Sequence, residues 1–258
     1  MSLLRIPALF VGHGSPMNAL EDNRYSRTWF ELGKKLPRPR AILVISAHWY
    51  TDGTAVTAMI QPRTIHDFGA FPQALHEMQY PAKGFPELAV LVQDILEPIE
   101  VETDFEQWGL DHGSWGILAK MYPDADIPVI QLSMDRNQPA SFHYEIGKKL
   151  AVLRDEGILI MGSGNVVHNL PAEKLGAEPY SWSLSFEQFV RESLTSLEEP
   201  HPLFHALDRE DGKLSNPTPE HFLPLFYVMG TWDKKEPIST PVEGIEDGSL
   251  SMLSIQVG

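Results

Sequence analysis

Four short apolar runs, at 7–11, 41–47, 127–132 and 158–161, are rich in Ile, Val and Leu and too short for helices. Their apolar positions are continuous rather than alternating, which predicts strands covered on both faces. Between them the period changes. Tyr25, Trp29, Leu32 and Leu36 fall near i, i+4, i+7 and i+11, and Phe142, Ile146, Leu150 and Leu153 repeat that spacing. Residues 86–96 and 183–197 also read as helices, and 249–257 as a last strand. The alternation predicts an α/β fold: one domain over 1–258 with a central, mainly parallel sheet flanked by helices. Stretches containing Pro and Gly at 61–86, 198–219 and 236–248 are read as loops, and no repeat or linker divides the chain.

Composition narrows the chemistry. The 258 residues include ten histidines and no cysteine. Disulfides, Cys-ligated zinc, iron–sulfur clusters and a cysteine nucleophile are therefore excluded, and a metal site must be built from His, Asp or Glu. The formal charge of −15 opposes attraction to nucleic acid or anionic membrane and favours a small-molecule partner. Residues 1–16 lack a long apolar core and an A-x-A-like site, and no apolar stretch reaches about 18 residues. The expectation is a cytoplasmic protein of undetermined oligomeric state.

Position then separates the histidines. His13 follows the first strand between Gly12 and Gly14, His48 ends the second apolar run, and His168 follows the fourth after Gly162-Ser163-Gly164. Ligands of open α/β sheets bind beyond the carboxyl ends of the strands, so the active site is expected there, with these three side chains on one rim. A histidine beside a turn more often hydrogen-bonds a loop carbonyl. Three at strand ends favour metal ligation for His13 and His48, while His168 is open between ligand, acid/base group and loop packing.

Thr218 is a candidate N-cap with Pro219 at N1, placing Glu220 and His221 in a helical first turn that Pro224 would bend or shorten. Both can face a site, or Glu220 can simply complement the helix dipole. In Asp111-His112-Gly113-Ser114-Trp115, His112 suits proton transfer or substrate hydrogen bonding, and Trp108 and Trp115 can flank a planar ligand. Equally, Asp111 can cap the next helix and the tryptophans can be core. His66, His76, His143, His201 and His205 are read as solvated or structural, although 65–69 can belong to a loop over the site. No G-x-S-x-G elbow, P-loop or H-E-x-x-H helix is present.

Five segments in order, Gly12–Pro16, Ser46–Trp49, Asp111–Trp115, Gly162–Gly164 with Val167–Leu170, and Pro217–Phe222, resemble the LigB-type class III extradiol ring-cleavage dioxygenases. The similarity runs from about residue 6 to the C-terminus and is nearest to the DOPA 4,5-dioxygenase branch. It implies a non-haem Fe(II) enzyme that inserts O2 into a catechol beside its hydroxyls, with 4,5-cleavage of DOPA. Carried over by motif, His13 and His48 match metal ligands, His221 the third ligand with Glu220 as its rival, and His168 a further ligand or the base. His112 matches a residue near substrate and O2, so His168 and His112 are the implied catalytic pair. An all-histidine site is also compatible with Zn(II). A zinc hydrolase using the same cluster and a non-catalytic metal-binding protein are the competing readings.

Overall fold

The computed structural model describes residues 5–258; part of the N-terminal run read above, residues 1–4, lies outside the described residues. Its main sheet has six strands: β1 (Ala8–Gly12), β2 (Ala41–Ser46), β3 (Val129–Gln131), β4 (Ile158–Gly164), β5 (Ile238–Val242) and β6 (Ser254–Val257). Their order is β3-β2-β4-β1-β6-β5. The first four are parallel, β6 runs antiparallel to β1, and β5 antiparallel to β6.

Alternate residues of each central strand enter two separate cores. Phe10, Leu43, Ile45 and Ile160 face one, with α2 (Pro86–Leu96), α4 (Ala140–Leu150), α5 (Ser181–Ser193) and α6 (Pro224–Gly230). Leu9, Val11, Ile42, Val44, Leu159 and Met161 face the other, with α1 (Arg24–Lys35) and α3 (His112–Met121). Burying each such side chain contributes roughly 1.5–3 kcal/mol, which explains the continuous apolar runs of the parallel strands.

The expected strands and helices form, with four adjustments. The 236–248 stretch is not only loop: it supplies β5, an edge strand that tolerates Pro241 because one side makes no ladder bonds. The 198–219 stretch contains a 3-10 helix, Pro202–Asp208, and a short helix, Glu210–Ser215. The last strand is interrupted between Leu250–Ser251 and Ser254–Val257. Finally, Thr218 does not cap a helix. Residues 219–223 form a tight turn in which the Leu223 amide donates to the Pro219 carbonyl, and the helix begins at Pro224, where a missing N–H costs nothing. Among the described residues no helix is long and apolar enough to cross a membrane.

Candidate metal centre

Strand register places the first two histidines side by side. Val11 and Ser46 both pair with Ser163 of β4, so His13 and His48 each lie two residues beyond one row of the sheet. The His13 amide donates to the Gly164 carbonyl at 3.0 Å, and the Ala47 amide to the Ser163 carbonyl at 2.9 Å. Both chains leaving the sheet are thus tied to the central strand.

His221 reaches the same end through a close backbone approach. A Cβ on Gly164 would lie 2.2 Å from the His221 carbonyl oxygen, and that carbonyl accepts from the Asn165 amide at 2.8 Å. Only glycine permits this contact. The ring centres of His13, His48 and His221 form a nearly equilateral triangle with sides of 4.9, 5.3 and 5.4 Å. His112 lies against the same group, 4.1 Å from His48 and 5.7 Å from His13. His13, His48 and His112 each bring one ring nitrogen within 4.8 Å of the other two, whereas His221 does not join that tighter set.

Acceptors set the tautomers. Ser163 Oγ donates to the Gly113 carbonyl at 2.5 Å, so it accepts from His13 Nδ1 at 2.9 Å. His221 Nδ1 faces Glu220 Oε1 at 3.3 Å, and His48 Nδ1 lies 3.0 Å from Asp67 Oδ2 and 3.4 Å from Asp111 Oδ1. Protons on Nδ1 leave Nε2 as the lone-pair nitrogen of His13 and His221, the arrangement common among metal-bound histidines, whereas the His48 cation must first give up a proton. The donor set therefore fits a metal ion.

Burial sets the charges. It pushes His13 well below its usual range and His221 down to about 4, aided by the neighbouring histidines, although Glu220 opposes this at His221. His48 is the exception: burial disfavours its cation, but Asp111 and Asp67 more than offset that and raise it to about 9. Glu220 resists desolvation through His221, a backbone amide and Thr218, and falls to about 2. Asp111 is fully buried, which opposes its anion, yet the neighbouring His48, and after it Gln131, hold it below its ordinary range. Its Oδ1 accepts from Ser46 Oγ at 2.7 Å and from the Ser114 amide at 3.2 Å, and its Oδ2 from Gln131 Nε2 at 2.7 Å.

His168 does not join the triangle. It stacks on His221 with ring centres 3.4 Å apart and planes within 3° of parallel. Imidazole lone pairs lie in the ring plane, so an ion in the plane of one ring is well out of the plane of the other. Only one of the two can aim at a given ion in this arrangement. Burial lowers His168 to about 3, reinforced by the adjacent histidines, which leaves it neutral.

Other candidates separate cleanly. Asp111 caps α3, and Trp115 is core, its Nε1 donating to the Ile65 carbonyl. Trp108 instead stacks on Trp49, 5.6 Å between rings, and both line a cavity of about 550 Å³ that also touches His48. His66 bonds the Met78 carbonyl, His143 bonds Tyr227, His201 caps Leu203 and His205 pairs with Asp208, all structural contacts. His76 lies beside Phe68, 4.9 Å between rings. Sequence reasoning missed Asp67 and Ser163 as partners of the site. Asp67 meets His112 across 45 residues, and nothing in local periodicity signals such a contact.

The chain matches the family described as catalytic LigB subunit of aromatic ring-opening dioxygenase over residues 8–246. It is 62% identical to a protein of Escherichia coli K12 named 4,5-DOPA dioxygenase extradiol, covering 100% of this chain and 97% of that one. A protein of the same name from Beta vulgaris is 40% identical over 86% of this chain and 85% of its own. A crystal structure of an uncharacterized protein from Escherichia coli K12 superposes with a TM-score of 0.88 at 56% identity, covering 98% of this chain and all of that one.

Proposed function

The chain belongs to the LigB family of aromatic ring-opening dioxygenases, a metal-dependent extradiol ring-cleaving enzyme, and on that premise we propose Fe(II)-dependent 4,5-cleavage of DOPA or a closely related small catechol. The substrate rests on the names of its relatives. We take 1–258 as a single ring-cleavage domain working in the cytoplasm on a small catechol and O2, without nucleic acid or membrane.

The observation that carries the reading is the triangle of ring centres at 4.9, 5.3 and 5.4 Å. Imidazoles bound to one ion at about 2.1 Å have ring centres roughly 5 Å apart. His13, His48 and His221 would hold the metal through Nε2. Fe(II) held there would supply a Lewis-acidic, redox-active centre for the catechol and O2. Glu220 Oε1, engaged by Thr218 at 2.8 Å and facing His221, serves to orient that ligand.

His168 is the base. Its neutral ring beside His221 accepts a catechol proton and can return it during ring opening. His112, its ring 4.1 Å from that of His48, would border the substrate, and a cavity of about 550 Å³ opens beside His48 and Trp49. The three buried imidazoles suit Zn(II) equally well as donors, which makes a zinc hydrolase the second reading.

Anaerobic loading with Fe(II), followed by DOPA and air, tests the proposal. One O2 consumed per yellow semialdehyde formed is the expected result. No uptake across a catechol panel, with hydrolysis by the zinc form, overturns it.

A further inference from the structure

We propose that Asp67 is a positioning residue for the reaction, fixing His112 as its Nδ1–H tautomer while tying it to the candidate ligand His48; the inference rests on the ring-opening reading. Asp67 Oδ1 accepts from the His112 amide at 2.9 Å and lies 3.0 Å from His112 Nδ1, and Oδ2 lies 3.0 Å from His48 Nδ1. Oδ1 already accepts from the His112 amide, so it accepts from His112 Nδ1 as well, and that nitrogen carries the proton. His112 is left with Nε2 as its basic nitrogen beside the other histidines.

The carboxylate is not carried by a free loop. The Ile65 amide donates to the Leu110 carbonyl at 2.7 Å, the Ile65 carbonyl accepts from Trp115 Nε1 at 2.8 Å, and His66 Nε2 bonds the Met78 carbonyl at 2.8 Å. Phe68 then packs edge-on against His112, 5.5 Å between rings. Anchors on both sides of residue 67 therefore preset its position. Asp67 also faces the positive end of α3, so a purely structural role must be separated from the positioning one.

Long-range 1H–15N spectra of zinc-loaded protein with 15N-labelled histidine make that separation, with His112→Ala assigning the signal. In the unaltered chain His112 is expected as Nδ1–H. Asp67→Ala should release it to a tautomer mixture and lower kcat by 10–100-fold, the usual effect of losing such a partner. Asp67→Asn keeps an oxygen for both His112 donors and should restore the tautomer and part of kcat. An unchanged tautomer in Asp67→Ala overturns the proposal, as does equal loss of kcat in both variants with the tautomer intact. The spectra need neither catechol nor O2, so they decide the role of Asp67 even if the unaltered enzyme fails to consume O2, which would instead sink the ring-opening reading.

Discussion

The rings of His168 and His221 lie face to face, 3.4 Å apart and 3° from parallel. This relationship separates His221, which the family resemblance matches to the third ligand, from His168, which sequence leaves open between ligand, acid/base group and loop packing. Ligation by one ring excludes the other from the same ion, and the ring left over is neutral and available for proton transfer.

His221→Ala should therefore abolish stoichiometric iron, as should His13→Ala and His48→Ala. His168→Ala should keep its iron and lose about 10²–10⁴-fold in kcat, the range typical of a missing general base. Metal analysis beside O2 uptake checks both. Iron lost from His168→Ala but retained by His221→Ala would exchange the two assignments.

Metal uptake should release about one proton at pH 7. In the metal-free protein His48 is raised to about 9 by Asp111 and Asp67 against the effect of burial, whereas His221 is lowered to about 4 by burial, and His13 lies well below its usual range. Only His48 must lose a proton to offer a lone pair. Apparent affinity should weaken about tenfold per unit as pH falls below about 9, and level off above it. Titration calorimetry in buffers of different ionisation enthalpy counts the proton; a count of zero at pH 7 contradicts the assignment.

Asp111→Ala should destabilise the fold by about 2–3 kcal/mol, because it removes the cap of α3 and strands buried donors on Ser46 and Gln131. Denaturant unfolding measures this. A change below about 0.5 kcal/mol would show that the network relaxes around the loss.

Gly164→Ala should weaken metal binding at least tenfold with the strands intact. Its methyl would sit 2.2 Å from the His221 carbonyl and force the 219–223 turn away from β4. Gly69→Ala, which adds a methyl to open space, is the control. Competition with a chelator reads the difference, and equal affinities would dissociate the turn from the site.

The parallel strands were legible because each is covered on both faces, and burial leaves no choice but a continuous apolar run. His13 and His48 were legible for the same reason, as the first polar side chains beyond such runs. β5 was not: Ile-Ser-Thr-Pro-Val at an edge needs neither apolar continuity nor every amide, so it carries little signal. The 198–219 and 219–223 segments were hidden likewise, since short 3-10 and turn structures draw their stability from what they pack against.

Sequence by itself determined a thiol-free chemistry, the α/β order of elements and five histidines, His13, His48, His112, His168 and His221, from ten. Tertiary structure alone decided what each of those five touches. It stacked His168 on His221, brought Asp67 across 45 residues to His112, and turned Ser163 and Glu220 toward Nδ1 nitrogens. Tautomer, charge and lone-pair direction depend on neighbours within about 3 Å, and chain order does not specify those neighbours until the sheet and its loops are folded.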